Sequence, residues 1–236
     1  MKKKHIFLMM VALTYCFMGY AQNNAQEWGN FARYKQQNEA LPDDKGALKR
    51  RVVFMGNSIT ENWVRMHPDF FTENGYIGRG ISGQTSYQFL LRFREDVINL
   101  SPAIVVINAA TNDIAENTGP YNEDYTFGNI LSMIQLAQAN GIKVILTSTL
   151  PAKGFGWNPN IKDAPQKIIS LNKRLQDYAN KHHIPFVDYY TKMVDNSMQG
   201  LPSQYSKDGV HPTIDGYNVM ETIIKPIIDK ELKKRR

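Results

Sequence analysis

Short strand-like runs recur along this chain at residues 52–55, 76–80, 104–108, 144–147 and 185–187. The third and fourth are continuous and apolar, as expected of strands buried on both faces. Between and after them a helical period marks residues 87–99, 122–140, 165–181 and 214–232, and Gly141 sits where a C-cap would end the second of these. Alternation of this kind predicts a parallel sheet with helices on both faces. Because crossovers are right-handed, a flavodoxin-like strand order is the simplest arrangement. Ahead of the first strand, residues 26–41 place Trp28, Phe31 and Tyr34 near one helical face, before a polar turn at Pro42, Asp43 and Asp44. That pattern predicts an amphipathic helix packed on the domain from outside. One long irregular segment, residues 151–164, carries Gly154, Phe155, Gly156, Trp157 and Pro159. A loop of that size in a compact domain is usually functional or mobile.

The first 21 residues change the picture of the rest. Three lysines precede an apolar run from Ile6 to Tyr20, and the stretch ends in Gly19, Tyr20, Ala21. This reads as an export signal cleaved after Ala21, too short to span a membrane comfortably. A competing reading makes Cys16 a lipid-attachment site, against which stands the bulky Tyr15 before it. Cys16 is the only cysteine, so cleavage removes every thiol and excludes disulfide and thiolate chemistry. The roughly 215 residues that remain suit one sizeable domain. Without Lys2, Lys3 and Lys4 the formal net charge falls from +6 to +3, and five positive charges cluster at Lys230, Lys233, Lys234, Arg235 and Arg236. The body is therefore slightly acidic, and no basic face for nucleic acid is implied. The basic end reads as a solvated helix terminus, with an anionic surface as the other option.

In a parallel α/β sheet, ligands bind beyond the carboxyl ends of the strands. The first strand delivers Ser58 there, the second Gly80, Ile81, Ser82 and Gly83, and the third Ala110, Thr111, Asn112 and Asp113. After the fifth come Asp208, Gly209, Val210, His211 and Pro212. A serine in this position is either a nucleophile or a plain helix cap. Three-residue spacing lets the Asp208 carboxylate accept from Nδ1 of His211, leaving Nε2 free for a serine proton, although Gly209 permits several turn shapes. The N–H of Gly83, the side chain of Asn112 and the N–H of Ser58 are candidate oxyanion donors, or else ordinary turn residues. Adjacent His182 and His183 do not share a helix face for a metal, and His67, before Pro68, is expected at the surface. Gly78, Gly80 and Gly83 miss the dinucleotide fingerprint. Trp63 and Trp157 are either core residues or flank the nucleophile and line a sugar-binding surface.

With these blocks in order, the chain resembles the SGNH hydrolases, the GDSL-like esterase and lipase superfamily, from about Trp28 to the last helix. The resemblance implies a three-layer α/β/α sandwich around a flavodoxin-like, five-stranded parallel sheet. It implies Ser58 as nucleophile, His211 as general base, Asp208 as its orienting carboxylate, and Ser58, Gly83 and Asn112 as the oxyanion hole, with no metal or organic cofactor. Two positions depart from the family pattern: Asn57 stands where Asp is usual, and Ala110 where Gly is usual. The organisation expected is a signal peptide over residues 1–21, an outer helix and turn over 22–50, and the hydrolase domain over 51–236. The expected function is an exported, periplasmic or secreted serine esterase. It would cleave a small acyl ester, acetyl first, of a carbohydrate or similarly polar substrate. The alternatives are a lysophospholipase or lipid acylhydrolase related to platelet-activating-factor acetylhydrolases, and a catalytically silent glycan-binding protein.

Overall fold

The computed structural model of the protein describes residues 27–42 and 45–234. The export signal expected over residues 1–21 lies outside them. Five parallel strands form one sheet: β1 (Val52–Gly56), β2 (Tyr76–Gly80), β3 (Ile104–Ile107), β4 (Lys143–Thr147) and β5 (Phe186–Val187). Their order is β2-β1-β3-β4-β5, the doubly wound arrangement anticipated from the sequence. Val52 pairs with Tyr76 on one side and with Ile104 on the other, so the carboxyl ends of β1, β2 and β3 finish level.

Successive strand residues face opposite layers, and the two cores divide accordingly. Val53, Met55, Val105, Ile107, Val144 and Leu146 pack under α5 (Ser86–Asp96), α7 (Glu123–Ala139) and α8 (Ala164–Lys181). Val52, Phe54, Ile104, Val106 and Ile145 pack under α3 (Ser58–Met66), α4 (Pro68–Thr72) and α10 (Ile214–Lys233). Burying a side chain such as Phe54, Ile224 or Ile168 contributes about 1.5–3 kcal/mol, and the periodicity that predicted the long helices is the record of that burial. Gly141 does end α7 with a left-handed φ of +69°.

Four helices were not anticipated inside the domain. The residues after β1 are helical from Ser58 onward, as α3 and α4, while α6 (Thr111–Ile114) follows β3 and α9 (Tyr189–Met193) follows β5. The segment before β1 also differs from expectation. Residues 26–41 do not form one helix: after Glu27 and Trp28 the chain turns, with Asn30 at φ +50°, and only α1 (Lys35–Glu39) is regular, followed by α2 (Lys45–Arg50). Of the three aromatics expected on one face, Tyr34 is buried, whereas Trp28 and Phe31 are exposed. Among the described residues no helix is long and apolar enough to cross a membrane.

Candidate active site

Ser58 is the first residue of α3, and the residue that caps the helix is Asn57, whose Oδ1 accepts the Ile59 N–H at 3.0 Å. The departure from the family's usual Asp therefore preserves the acceptor a helix start needs. Capping by Asn57 leaves the Ser58 hydroxyl for another partner. That partner is His211: Ser58 Oγ lies 2.8 Å from Nε2.

His211 is brought across from the far side of the sequence by the turn before α10. Asp208 Oδ1 accepts from the N–H groups of Val210 and His211 at 2.9 and 2.8 Å, and Oδ2 stands 2.6 Å from His211 Nδ1. Gly209, at φ +81°, supplies the left-handed residue that makes this turn so tight. Burial pushes the Asp208 carboxyl up, but the hydrogen bonds from His211 and the two backbone N–H groups outweigh it and hold it at about 2. An ionised carboxylate only accepts, so the imidazole proton resides on Nδ1 and Nε2 is free to accept from the serine.

The loop from β2 to α5 lies beside the serine. Ile81 N–H donates to Gly56 O at 3.1 Å, tying this loop to the end of β1. Gly83 adopts φ +78°, and among the described residues its N–H has no hydrogen-bond partner. Asn112, buried in α6, donates from Nδ2 to Gln84 O at 2.9 Å, which leaves its second amide hydrogen uncommitted. The Ser58 N–H, at a helix start, has no intrahelical acceptor. Among the described residues, each of the three expected oxyanion donors thus keeps a hydrogen that no hydrogen bond takes up.

Behind them sits a polar scaffold that spacing did not reveal. Arg92, fully buried in α5, donates to Gly56 O and Arg79 O at 3.0 Å each, to Gln84 Oε1 at 2.6 Å and to Asp96 Oδ2 at 2.8 Å. One guanidinium thus joins the ends of β1 and β2 to the loop. Asp113 accepts from the Ser86 N–H at 3.0 Å and from Thr126, and burial holds its carboxyl above the ordinary value against those bonds. Arg92 looks like one polar residue on an amphipathic helix, which is why the sequence conceals it.

The two tryptophans separate. Trp63 is core, stacked between Phe70 and Tyr217 at 5.4 and 5.6 Å with Nε1 on Glu221 at 2.8 Å, so its proposed place on a sugar-binding surface is withdrawn. Its indole belongs to the layer under α10, where flat rings fill the space that helix leaves. His67, expected at the surface, is instead packed on Tyr217 with Nδ1 2.9 Å from Glu221. Trp157 is 47 % exposed, its ring centroid 6.2 Å from that of His211. Its Nε1 donates to Asn117 Oδ1 at 2.9 Å, and Asn117 Nδ2 donates to Gly83 O at 3.0 Å. His182 and His183 are exposed on the far end of α8, where His182 stacks on Tyr178.

Comparison with known proteins matches residues 54–219 to the GDSL-like lipase/acylhydrolase family. A solved structure of a GDSL-like lipase from Bacteroides thetaiotaomicron is 67 % identical, with a TM-score of 0.84 over 86 % of this chain and 99 % of that one. Esterase TesA of Pseudomonas aeruginosa is 26 % identical over 68 % of this chain and 74 % of its own length. An acetylxylan esterase of Xylanibacter ruminicola is 23 % identical over 75 % of this chain but only 43 % of its own, so the chain spans less than half of that enzyme.

Proposed function

The chain belongs to the GDSL-like lipase/acylhydrolase family and is a carboxylic-ester hydrolase, and from that premise we propose that it is exported and removes acetyl groups from a carbohydrate or similarly polar substrate. The observation that carries the mechanism is the continuous relay from Ser58 Oγ through His211 to Asp208, at 2.8 and 2.6 Å. Ser58 attacks the ester carbonyl as His211 Nε2 takes its proton, and Asp208 stabilises the imidazolium that forms. The N–H groups of Ser58 and Gly83 and the Asn112 amide receive the oxyanion. His211 then protonates the departing alkoxide, and water, deprotonated by the same imidazole, releases the acid from the acyl-enzyme. Every step uses groups of the chain itself, with Ser58 restored at the end.

Support for a polar, extended alcohol comes from the open rim of the site. Asp208 and His211 have side chains 54 % and 29 % exposed, and Trp157 presents its ring beside them. A flat indole at a solvent-facing rim suits the apolar face of a sugar ring, and the likeness to an acetylxylan esterase points the same way. The leader at residues 1–21 supports export.

The test is release of acid from acetylated oligosaccharides and from aryl esters of rising acyl length. Turnover should be greatest for acetyl and fall to background in Ser58→Ala. Trp157→Ala should raise KM for the oligosaccharides by about threefold to tenfold, and more than for an aryl acetate. Preference for long acyl chains would move the assignment to a lipid acylhydrolase. Binding of the glycans without turnover would move it to a glycan-binding protein.

A further inference from the structure

Residues 27–41 precede the region matched by the family, yet they bond to the loop that carries Gly83 and to the strand and helix on either side of it. Trp28 O accepts from Gln88 Nε2 at 2.9 Å and Gly29 O from Gln84 Nε2 at 3.3 Å. The buried hydroxyl of Tyr34 donates to Gly80 O, and Asn38 Oδ1 accepts from Arg79 Nε at 2.8 Å. The remaining link runs through α3. Arg33 donates to Glu61 Oε1 at 2.7 Å, and Glu61 Oε2 accepts both the N–H of Ser82, at 2.9 Å, and its hydroxyl.

This set of contacts lies one residue from Gly83 and one helical turn from Ser58. Gly80 is the point where loop and helix touch: a Cβ there would come within 2.3 Å of Glu61 N and 2.6 Å of Asn57 O. Backbone meets backbone, so a displacement of the loop is felt at the start of α3. Burial pushes the Glu61 carboxyl up, but the bonds from Ser82 and Arg33 outweigh it and hold it below its ordinary value, so it accepts as a carboxylate. A charged acceptor makes the stronger bond to Ser82.

We propose that the strap of residues 27–41 is part of the catalytic apparatus, and that Arg33 and Glu61 are positioning residues that hold Ser82, and through it Gly83, in register with Ser58. The inference rests on the esterase reading above. It assigns a function to a segment that lies ahead of the region matched to the family. An exposed Arg33–Glu61 pair adds little to folding stability, so a stabilising role alone does not account for the arrangement. Geometry at the oxyanion hole is far more sensitive, since a displacement of about 1 Å can cost roughly a hundredfold in rate.

The experiment is steady-state hydrolysis of 4-nitrophenyl acetate by full-length variants, with active serines counted by a fluorophosphonate. Glu61→Ala should lower kcat per labelled serine by about tenfold or more while KM changes by less than about twofold. Glu61→Gln, whose amide oxygen still accepts from Ser82 N–H, should recover most of that loss. Arg33→Ala should show a smaller loss and add nothing in the Arg33→Ala, Glu61→Ala double variant. Ser82→Ala, which deletes a single hydroxyl, should also lower kcat and serves if Glu61→Ala does not fold. Wild-type kcat per labelled serine in both Glu61→Ala and Ser82→Ala would overturn the proposal. Failure of the wild-type protein to be labelled would instead overturn the esterase reading.

Discussion

The two oxygens of Asp208 divide the work at the turn before α10. Oδ1 fixes the backbone by accepting from Val210 and His211, and Oδ2 fixes the ring by accepting from Nδ1. Because its pKa is depressed to about 2, its contribution to folding stability is present above the unfolded carboxylate range and is lost as pH falls toward 2. The base step needs a neutral imidazole at His211, since a doubly protonated ring cannot accept from Ser58. A profile of kcat/KM against pH should therefore show an acidic limb. Asp208→Asn should depress the plateau by about 10⁴-fold, as expected for loss of the tautomer-fixing carboxylate. A profile flat toward acid would contradict a histidine base. Ser58, Asp208 and His211 could be singled out in the sequence because their chemistry is carried by residue type at strand ends. Glu61, Asn117 and Arg92 could not be singled out, since their roles depend on partners 21 to 36 residues away.

Among the elements, long apolar periodicity was readable and short helices were not. Strands β3 and β4 announce themselves as uninterrupted apolar runs, and α7, α8 and α10 repeat their buried positions over several turns. Four-residue α6 has no room for a period. In α3, Ile59, Trp63 and Met66 do stand at helical spacing, but a nine-residue stretch is too short for that period to be told from chance. Strap residues Trp28, Phe31 and Tyr34 mislead in the other direction, because helical spacing survives where Asn30 takes a left-handed turn. Helix α6 carries a further consequence. It starts from Ala110 at φ +83° and ψ −17°, a conformation that costs an L-residue about 1–2 kcal/mol. Glycine removes that strain but gives back part of it through the entropy of the unfolded chain. Ala110→Gly should therefore raise stability by up to about 1 kcal/mol, read as a higher midpoint of urea unfolding at unchanged m-value. A lower midpoint would show that the alanine methyl contributes packing that outweighs its strain.

At the scale of the whole molecule, the sheet order explains why residues so distant in sequence meet. Strands β1 and β3 are neighbours although β2 lies between them in the chain, so the crevice at their carboxyl ends receives loops from opposite sides. Ser58 enters it from β1, the loop of Gly83 from β2, and Asn112 from β3, while the turn of Asp208 and His211 arrives from beyond β5. The alternation of strands and helices made this convergence foreseeable. It did not disclose the wrapping of the strap around the edge strand β2, because side-chain bonds to a loop leave no periodic trace. The central claim is that this convergence activates one serine. Intact-mass measurement after exposure to a fluorophosphonate tests it directly, since only a serine with a working base and oxyanion donors reacts readily. A single adduct located on Ser58, absent in Ser58→Ala and strongly slowed in His211→Ala, is the expected result. No adduct on the folded wild-type protein, or labelling undiminished in Ser58→Ala, would contradict it.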